Sequence, residues 1–363
     1  MSKLTKEQII NAIKDVKDPD LNISLGELNA IDKIEIEETC KIYLKLIQPI
    51  YWVAEDINVV LIDKLRELSD STEFEIIISE QEQDFKSRKV LPGVKNIIAV
   101  ASGKGGVGKS NIAANLAASL SKKGARVGIL DADIYGPSQP TMFGLTNAQM
   151  GAVKTEDGKT LASPIKKYNI QVASMGMLMK KDDAAVVRGP MLAGYFSMLF
   201  EQVFWGNLDF LIFDLPPGTG DIQLTLTQKI PVSGSVVVTT PQEIAVADVR
   251  RAISMFNKVN VDVFGIVENM SYFTPPDAPD KKYYIFGEGG GEEVAGEFGV
   301  DLLGKVPLDI EMRDANDGGM PIVLKRPDSN ATQIINEITK SISIKARKKS
   351  FELKENPGVK INL

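Results

Sequence analysis

Short, almost wholly apolar runs alternate with longer half-polar segments along most of this chain. The runs are Ile97–Ala101, Val127–Leu130, Ile170–Ala173, Phe210–Phe213, Ser235–Val238 and Phe264–Val267. A strand open to water on one side alternates apolar and polar residues, whereas a strand covered on both faces does not. The runs therefore predict buried central strands of a parallel sheet. Helices near Lys109–Lys122, Met191–Phe204 and Ile244–Val259 would lie between them. Tyr272–Gly291, rich in Pro, Gly and Asp, predicts an irregular loop or hairpin. A last helix near Ala331–Lys348 leads into a basic tail over 346–363 that is expected to be mobile.

The first eighty residues follow another rhythm. Ile9, Ile10 and Ile13 share one face of a helix over Thr5–Val16, with Thr5 as N-cap. Strands at Ile31–Ile36 and Lys41–Ile47, a helix at Trp52–Leu68 and a strand at Glu73–Ile78 complete a small α/β (α+β) unit, 1–80. The polar stretch 81–96, with Pro92-Gly93, reads as a linker to a larger α/β domain over 97–345.

Composition narrows the chemistry. The length of 363 residues suits two domains. A net charge of −6 gives no reason to expect a nucleic-acid partner. No apolar run approaches the ~20 residues that span a bilayer, and the first residues run straight into a charged helix with no apolar signal region. The expectation is a cytoplasmic protein that binds neither nucleic acid nor membrane. There is no histidine and one cysteine, Cys40. Internal disulfides, histidine bases and Cys/His zinc sites are thereby excluded, which leaves carboxylates, lysines, backbone and Mg²⁺.

One segment says what those groups do. Gly103-Lys104-Gly105-Gly106-Val107-Gly108-Lys109-Ser110 fits G-x-x-x-x-G-K-[ST] and lies between a predicted strand and a predicted helix. Glycines there let successive N–H groups turn inward around phosphate oxygens, and the helix N-terminus favours the anion. Lys109 would reach the terminal phosphates of ATP and Ser110 would ligate Mg²⁺. Asp131 and Asp133 follow one apolar strand, and Asp214-Leu215-Pro216-Pro217-Gly218 follows another. Ligands of open parallel sheets sit beyond the carboxyl ends of strands. Asp131 and Asp214 are thus candidates to hold Mg²⁺ through its bound waters, and Asp133 to orient the attacking water. Aspartate also caps strands and starts turns, so each motif alone admits a purely structural reading. Asn269 is either a reader of the adenine edge or a plain turn residue.

The extra lysine, with Asp131-x-Asp133 and Asp214-x-Pro-Pro-Gly218, resembles the deviant phosphate-loop ATPases. In that class the lysine corresponding to Lys104 crosses a dimer interface to the partner's nucleotide. The other reading of Lys104 is a solvated loop residue. A trans cation of this kind contributes about 10³–10⁵ in rate, which implies near inactivity as a monomer. Met191–Phe204 is either an interface or core. Within the class, Ile98–Ser110, Asp131–Ser138, Asp214–Asp221 and Val267–Tyr272 resemble the Mrp/ApbC family. Membership implies a P-loop NTPase fold and a homodimeric, ATP-binding carrier that delivers iron–sulfur clusters to apoproteins. Residues 4–80 resemble the MIP18-like iron–sulfur assembly domain, with Asp18-Pro19-Asp20 matching its Asp-Pro pair.

The chain departs from that family in its thiols. The family's Cys-x-x-Cys is replaced here by Tyr272-Phe273-Thr274-Pro275-Pro276-Asp277, and Gln48–Trp52 lacks the N-terminal domain's cysteine. A 4Fe-4S cluster usually takes about four thiolates, and a homodimer of this chain offers only its two copies of Cys40. Two functions follow. One is an ATP-hydrolysing carrier or scaffold working with apoprotein recipients or assembly proteins. The other is a cluster-free nucleotide switch that regulates a partner. A membrane-positioning role fits poorly, because Ala346–Glu352 is basic with little apolar face.

Overall fold

The apolar runs come together as one sheet in the computed structural model, which describes residues 4–85, 88–134, 136–178, 194 and 198–355. The chain forms two units, one comprising residues 1–84 with 343–359, the other residues 85–342 with 360–363.

The smaller unit contains α1 (Lys6–Ile13), β1 (Ile31–Ile36), β2 (Thr39–Leu46), α2 (Val53–Leu68) and β3 (Glu73–Glu80). Thr5 and Gln8 form a reciprocal capping box on α1. β1 and β2 are antiparallel, and α2 makes the crossover that lets β3 pair parallel to β2. Alternation along β2 sends Cys40, Ile42, Leu44 and Leu46 inward against Val53, Ile57, Leu61 and Leu65 of α2.

The larger unit has strands β4 (Val94–Ala101), β5 (Val127–Asp131), β6 (Gly151–Lys154), β7 (Thr160–Ser163), β8 (Ile165–Lys167), β9 (Ile170–Ser174), β10 (Leu208–Asp214), β11 (Gly234–Thr239), β12 (Val263–Phe273) and β13 (Leu302–Leu308). Its described helices are α3 (Lys109–Lys122), α4 (Gln139–Met142), α5 (Met175–Leu178), α6 (Asp221–Lys229), α7 (Glu243–Lys258), α8 (Gly290–Phe298), α9 (Ile310–Asp317) and α10 (Ile322–Lys325). The last helix, α11 (Asn330–Glu355), runs on into the smaller unit. The main sheet has the order β13-β12-β11-β4-β10-β5-β9-β8 and is parallel except for the β8–β9 pair. Every residue of β5, β10 and β11 is buried, as strands covered on both faces require. β6 and β7 form a separate hairpin. The register that matters sets Asp214 of β10 opposite Asp131 of β5 and Val100 of β4, so the two aspartates end neighbouring strands.

One expectation changes and two that were left open are narrowed. The predicted linker is half folded: Leu91 is buried, Arg88 donates to the Val94 carbonyl at 2.9 Å, and β4 already begins at Val94. The reason is a turn at Leu91–Gly93, where both end residues take positive φ. The proline-rich stretch after Tyr272 is closed at its base by two 2.8 Å backbone bonds between Phe273 and Tyr283. Of Met191–Phe204, residues 191–193 and 195–197 lie outside the described set. Leu199, Phe200 and Val203 belong to the core, while Met198 and Phe204 are exposed.

The tail is the largest correction. Residues 346–355 are helix, and only 356–363 of that segment lie outside the described residues. Arg347 is 0% exposed. Its guanidinium grips both carboxylate oxygens of Asp18, donates to Asp20 at 3.0 Å and, through Nε, to the Ile47 carbonyl at 2.8 Å. Gln48 donates to Ser350 at 2.6 Å, and Phe351 packs on the same core. The Asp18-Pro19-Asp20 motif is thus a socket for Arg347, and the C-terminal turns of α11 complete the smaller unit. Burial pushes the Asp20 carboxyl up, against the pull of Arg347. Among the described residues, no helix is long and apolar enough to cross a membrane.

Removing one member of a buried pair strands the other's charge, at about 3–5 kcal/mol. Arg347→Ala is expected to raise amide exchange throughout residues 4–84 and leave β4–β13 protected. Unchanged exchange in the smaller unit would show that the pair adds nothing to its stability.

Candidate nucleotide site

The glycine-rich loop leaves β4 at the centre of the sheet and enters α3. Gly106 and Gly108 hold φ of +84° and +82°, a left-handed region that side chains resist. At Gly103 a methyl group would collide with the Asp248 backbone in α7. Ser102 Oγ donates to the Lys104 carbonyl at 2.9 Å, and Lys104 itself is half-buried. Asn269 is 2% exposed and donates to the Val107 carbonyl at 2.9 Å. It sits inside β12, so it is no turn residue, and its amide is tied to the loop. A side chain at Gly108 would overlap that amide.

Beneath the loop lies a buried charge cluster. Lys109, 6% exposed, forms an ion pair with Asp214, 0% exposed, and approaches Ser110 Oγ at 3.1 Å. Asp131 beside them organises its own loop. Its oxygens accept the amides of Asp133 at 3.1 Å and of Ser138 and Gln139 at 3.0 Å, and the Ser174 hydroxyl at 3.2 Å. Burial first, and the charge of Asp214 second, push Asp131 up to about 7, with the Gln139 amide and Lys109 pulling the other way. Asp133 is half-buried and accepts the Gly136 amide at 3.1 Å.

Sequence reasoning missed Gln139. It is 0% exposed, and its Nε2 donates both to Asp214 Oδ2 at 2.8 Å and to the Ser110 carbonyl at 2.9 Å. No motif signals it, because its contacts follow from the turn that Asp131 holds. Ser110, Asp131 and Asp214 offer only hard oxygen donors, which suits Mg²⁺, a cation that typically takes one or two carboxylates plus phosphate oxygens. A carboxylate pair that retains a proton and binds an ammonium is also a place where a cation is favoured. Cys40 is elsewhere, buried within β2 rather than before a strand, and burial raises its thiol. Among the described residues no cluster of three or more His, Cys, Asp or Glu is placed to hold a metal ion.

Asp131 carries a testable sign. Its folded value lies above the unfolded one, so the folded chain keeps a proton that the unfolded chain has lost. The stability this supplies is complete at low pH and disappears as pH rises through about 7. In Mg²⁺-free buffer the melting temperature of wild type minus that of Asp131→Asn is expected to fall from pH 6 to pH 8. A constant gap would mean that Asp131 does not titrate there.

Relatives share this architecture. Residues 93–343 match the ParA family, described as NUBPL iron-transfer P-loop NTPase, and residues 6–76 match the iron–sulfur cluster assembly protein family. The iron–sulfur cluster carrier protein of Synechocystis sp. is 44% identical over 344 residues, covering 94% of this chain and 97% of that one. Its counterpart in Deinococcus radiodurans is 40% identical over 338 residues, covering 93% and 94%. A solved nucleotide-binding protein from Archaeoglobus fulgidus in complex with ADP superposes with a TM-score of 0.57 at 37% identity, over 68% of this chain and 94% of that one. The septum site-determining protein MinD of Pyrococcus horikoshii superposes at 0.53 with 20% identity, over 70% and 98%, a likeness of fold alone. The chain belongs to the NUBPL iron-transfer P-loop NTPase family, with an iron–sulfur cluster assembly domain ahead of its NTPase domain.

Proposed function

We propose that this chain is a homodimeric, Mg²⁺-dependent ATP hydrolase that works as a carrier or scaffold in iron–sulfur cluster assembly and transfer to apoproteins. The observation that carries the reading is the buried Lys109–Asp214 pair beneath a glycine loop. An ammonium held on one carboxylate can move to phosphate oxygens at little desolvation cost, because it is already out of water. In this reading the amides of Gly105 to Ser110 cradle the phosphates and Lys109 neutralises them. Ser110, Asp131 and Asp214 would hold Mg²⁺, and Asp133 would orient the attacking water. Bound Mg²⁺ supplies charge neutralisation at the phosphates. With one amide hydrogen on the Val107 carbonyl, Asn269 would offer an adenine its second N–H and its Oδ1.

The cluster is cargo, and the chain's own thiols do not fit it. Soft iron–sulfur sites prefer sulfur, and the one thiol is buried inside β2. We therefore assign most of the cluster ligands to partner proteins. The buried cysteine equally favours the second reading, a nucleotide switch that holds no cluster itself.

Two experiments separate these statements. Lys104→Ala is expected to lower hydrolysis by about 10³-fold or more while ADP binding persists. Mixing it with Lys109→Ala should restore activity, because the second chain supplies the missing lysine across the interface. A mixture as inactive as its parts would place Lys104 in cis or outside the chemistry. Anaerobic reconstitution with iron and sulfide should leave the chain almost free of iron, with ATP hydrolysis intact and no effect of Cys40→Ser. A stoichiometric cluster on this chain alone would overturn the assignment of ligands to partners.

A further inference from the structure

Gln139 holds a position that none of the assigned roles uses. It is the first residue of α4, fully buried, and its backbone amide is fixed by Asp131. Both atoms that its side-chain amide faces, Asp214 Oδ2 and the Ser110 carbonyl, are acceptors, so the NH₂ end must point at them. That orientation leaves Oε1 buried without a hydrogen-bond partner among the described residues. A buried amide oxygen without a donor costs free energy unless something else supplies one.

We propose that Gln139 is a positioning residue for the divalent cation of the nucleotide site. This rests on the ATPase reading above. Its NH₂ group holds Asp214 and the backbone of Ser110 in one geometry when Lys109 leaves Asp214 for phosphate. Without that strut, Asp214 would lose both of its side-chain donors at once. Its Oε1 is a buried acceptor on the same amide, and a water that came in with the cation would be a donor for it. Gln139 also joins three elements, since Asp131 ends β5, Ser110 opens α3 and Asp214 ends β10. Cation binding is thereby tied to the turn that carries Asp133.

Equilibrium binding of fluorescent ADP, titrated with and without Mg²⁺, tests this on the full chain. Gln139→Met keeps the volume and removes the amide. The Mg²⁺ concentration that half-saturates the gain in ADP affinity should rise about ten- to a hundred-fold, the loss of one or two hydrogen bonds to a charged group. ADP affinity without Mg²⁺ should fall by a much smaller factor than the rise in that Mg²⁺ midpoint. Unchanged Mg²⁺ dependence in Gln139→Met would overturn the proposal. So would an equal loss of Mg²⁺-free affinity, the mark of a general packing role. Wild type that binds no ADP would instead remove the ATPase reading on which it rests.

Discussion

The structure of the larger unit is arranged around one buried ion pair, Lys109 with Asp214. Burying a single charge is costly, and a pair is tolerated only when geometry and added hydrogen bonds compensate for lost hydration. The fold meets that condition in layers. β10 ends between β4 and β5, which brings Asp214 under the loop that β4 feeds into α3. Gln139 then satisfies the second oxygen of Asp214, and Asp131 satisfies the loop that delivers Gln139. The alanine-rich character of α3 follows from the same crowding. Nearly every residue from Ile112 to Leu120 is buried, so small side chains let the helix sit within the layers.

The smaller unit repeats this logic with different residues. Arg347 is fully buried because Asp18, Asp20 and the Ile47 carbonyl all meet its guanidinium, a planar fork suited to several acceptors at once. In both units a motif that reads as chemistry is also architecture. Asp18-Pro19-Asp20 shapes a turn, with Asp18 Oδ1 accepting the amides of Asp20 and Leu21, and the same carboxylate closes on a side chain 329 residues away.

Much of this was legible from sequence where signal was local. β1 and α3 fall at their predicted limits, α3 because the phosphate-loop motif fixes where it starts. The phosphate loop, Asp131 and Asp214 were found by pattern, and the sheet brings them together. What was hidden was set by tertiary contact. The buried stripe Ile335, Ile338, Ile342, Ala346 continues through Arg347 and Ser350, whose polarity disguised it as a tail. Gln139 looked like any loop residue. The short strands β6, β7 and β8 carry mostly half-exposed positions, so they lack the apolar runs that marked their neighbours.

The segment after β12 shows why family and residue content must be weighed separately. Tyr272, Phe273, Pro276, Pro279, Pro307 and Ile310 line a cavity of about 500 Å³ there. Its polar side chains, among them Lys282, Asp309, Glu311 and Asn330, offer oxygen and nitrogen but no sulfur. Asp309 is already spent as the N-cap of α9, and Glu311 pairs with Arg326. The oxygen donors of the candidate nucleotide site, Ser110, Asp131 and Asp214, stand at the start of α3 and the ends of β5 and β10, while the segment after β12 is a largely exposed hairpin without cysteine. Phosphate binding and cluster ligation make separate demands on a fold, hard oxygen and backbone amides for one and soft sulfur for the other, and the two sets of residues need not be kept together.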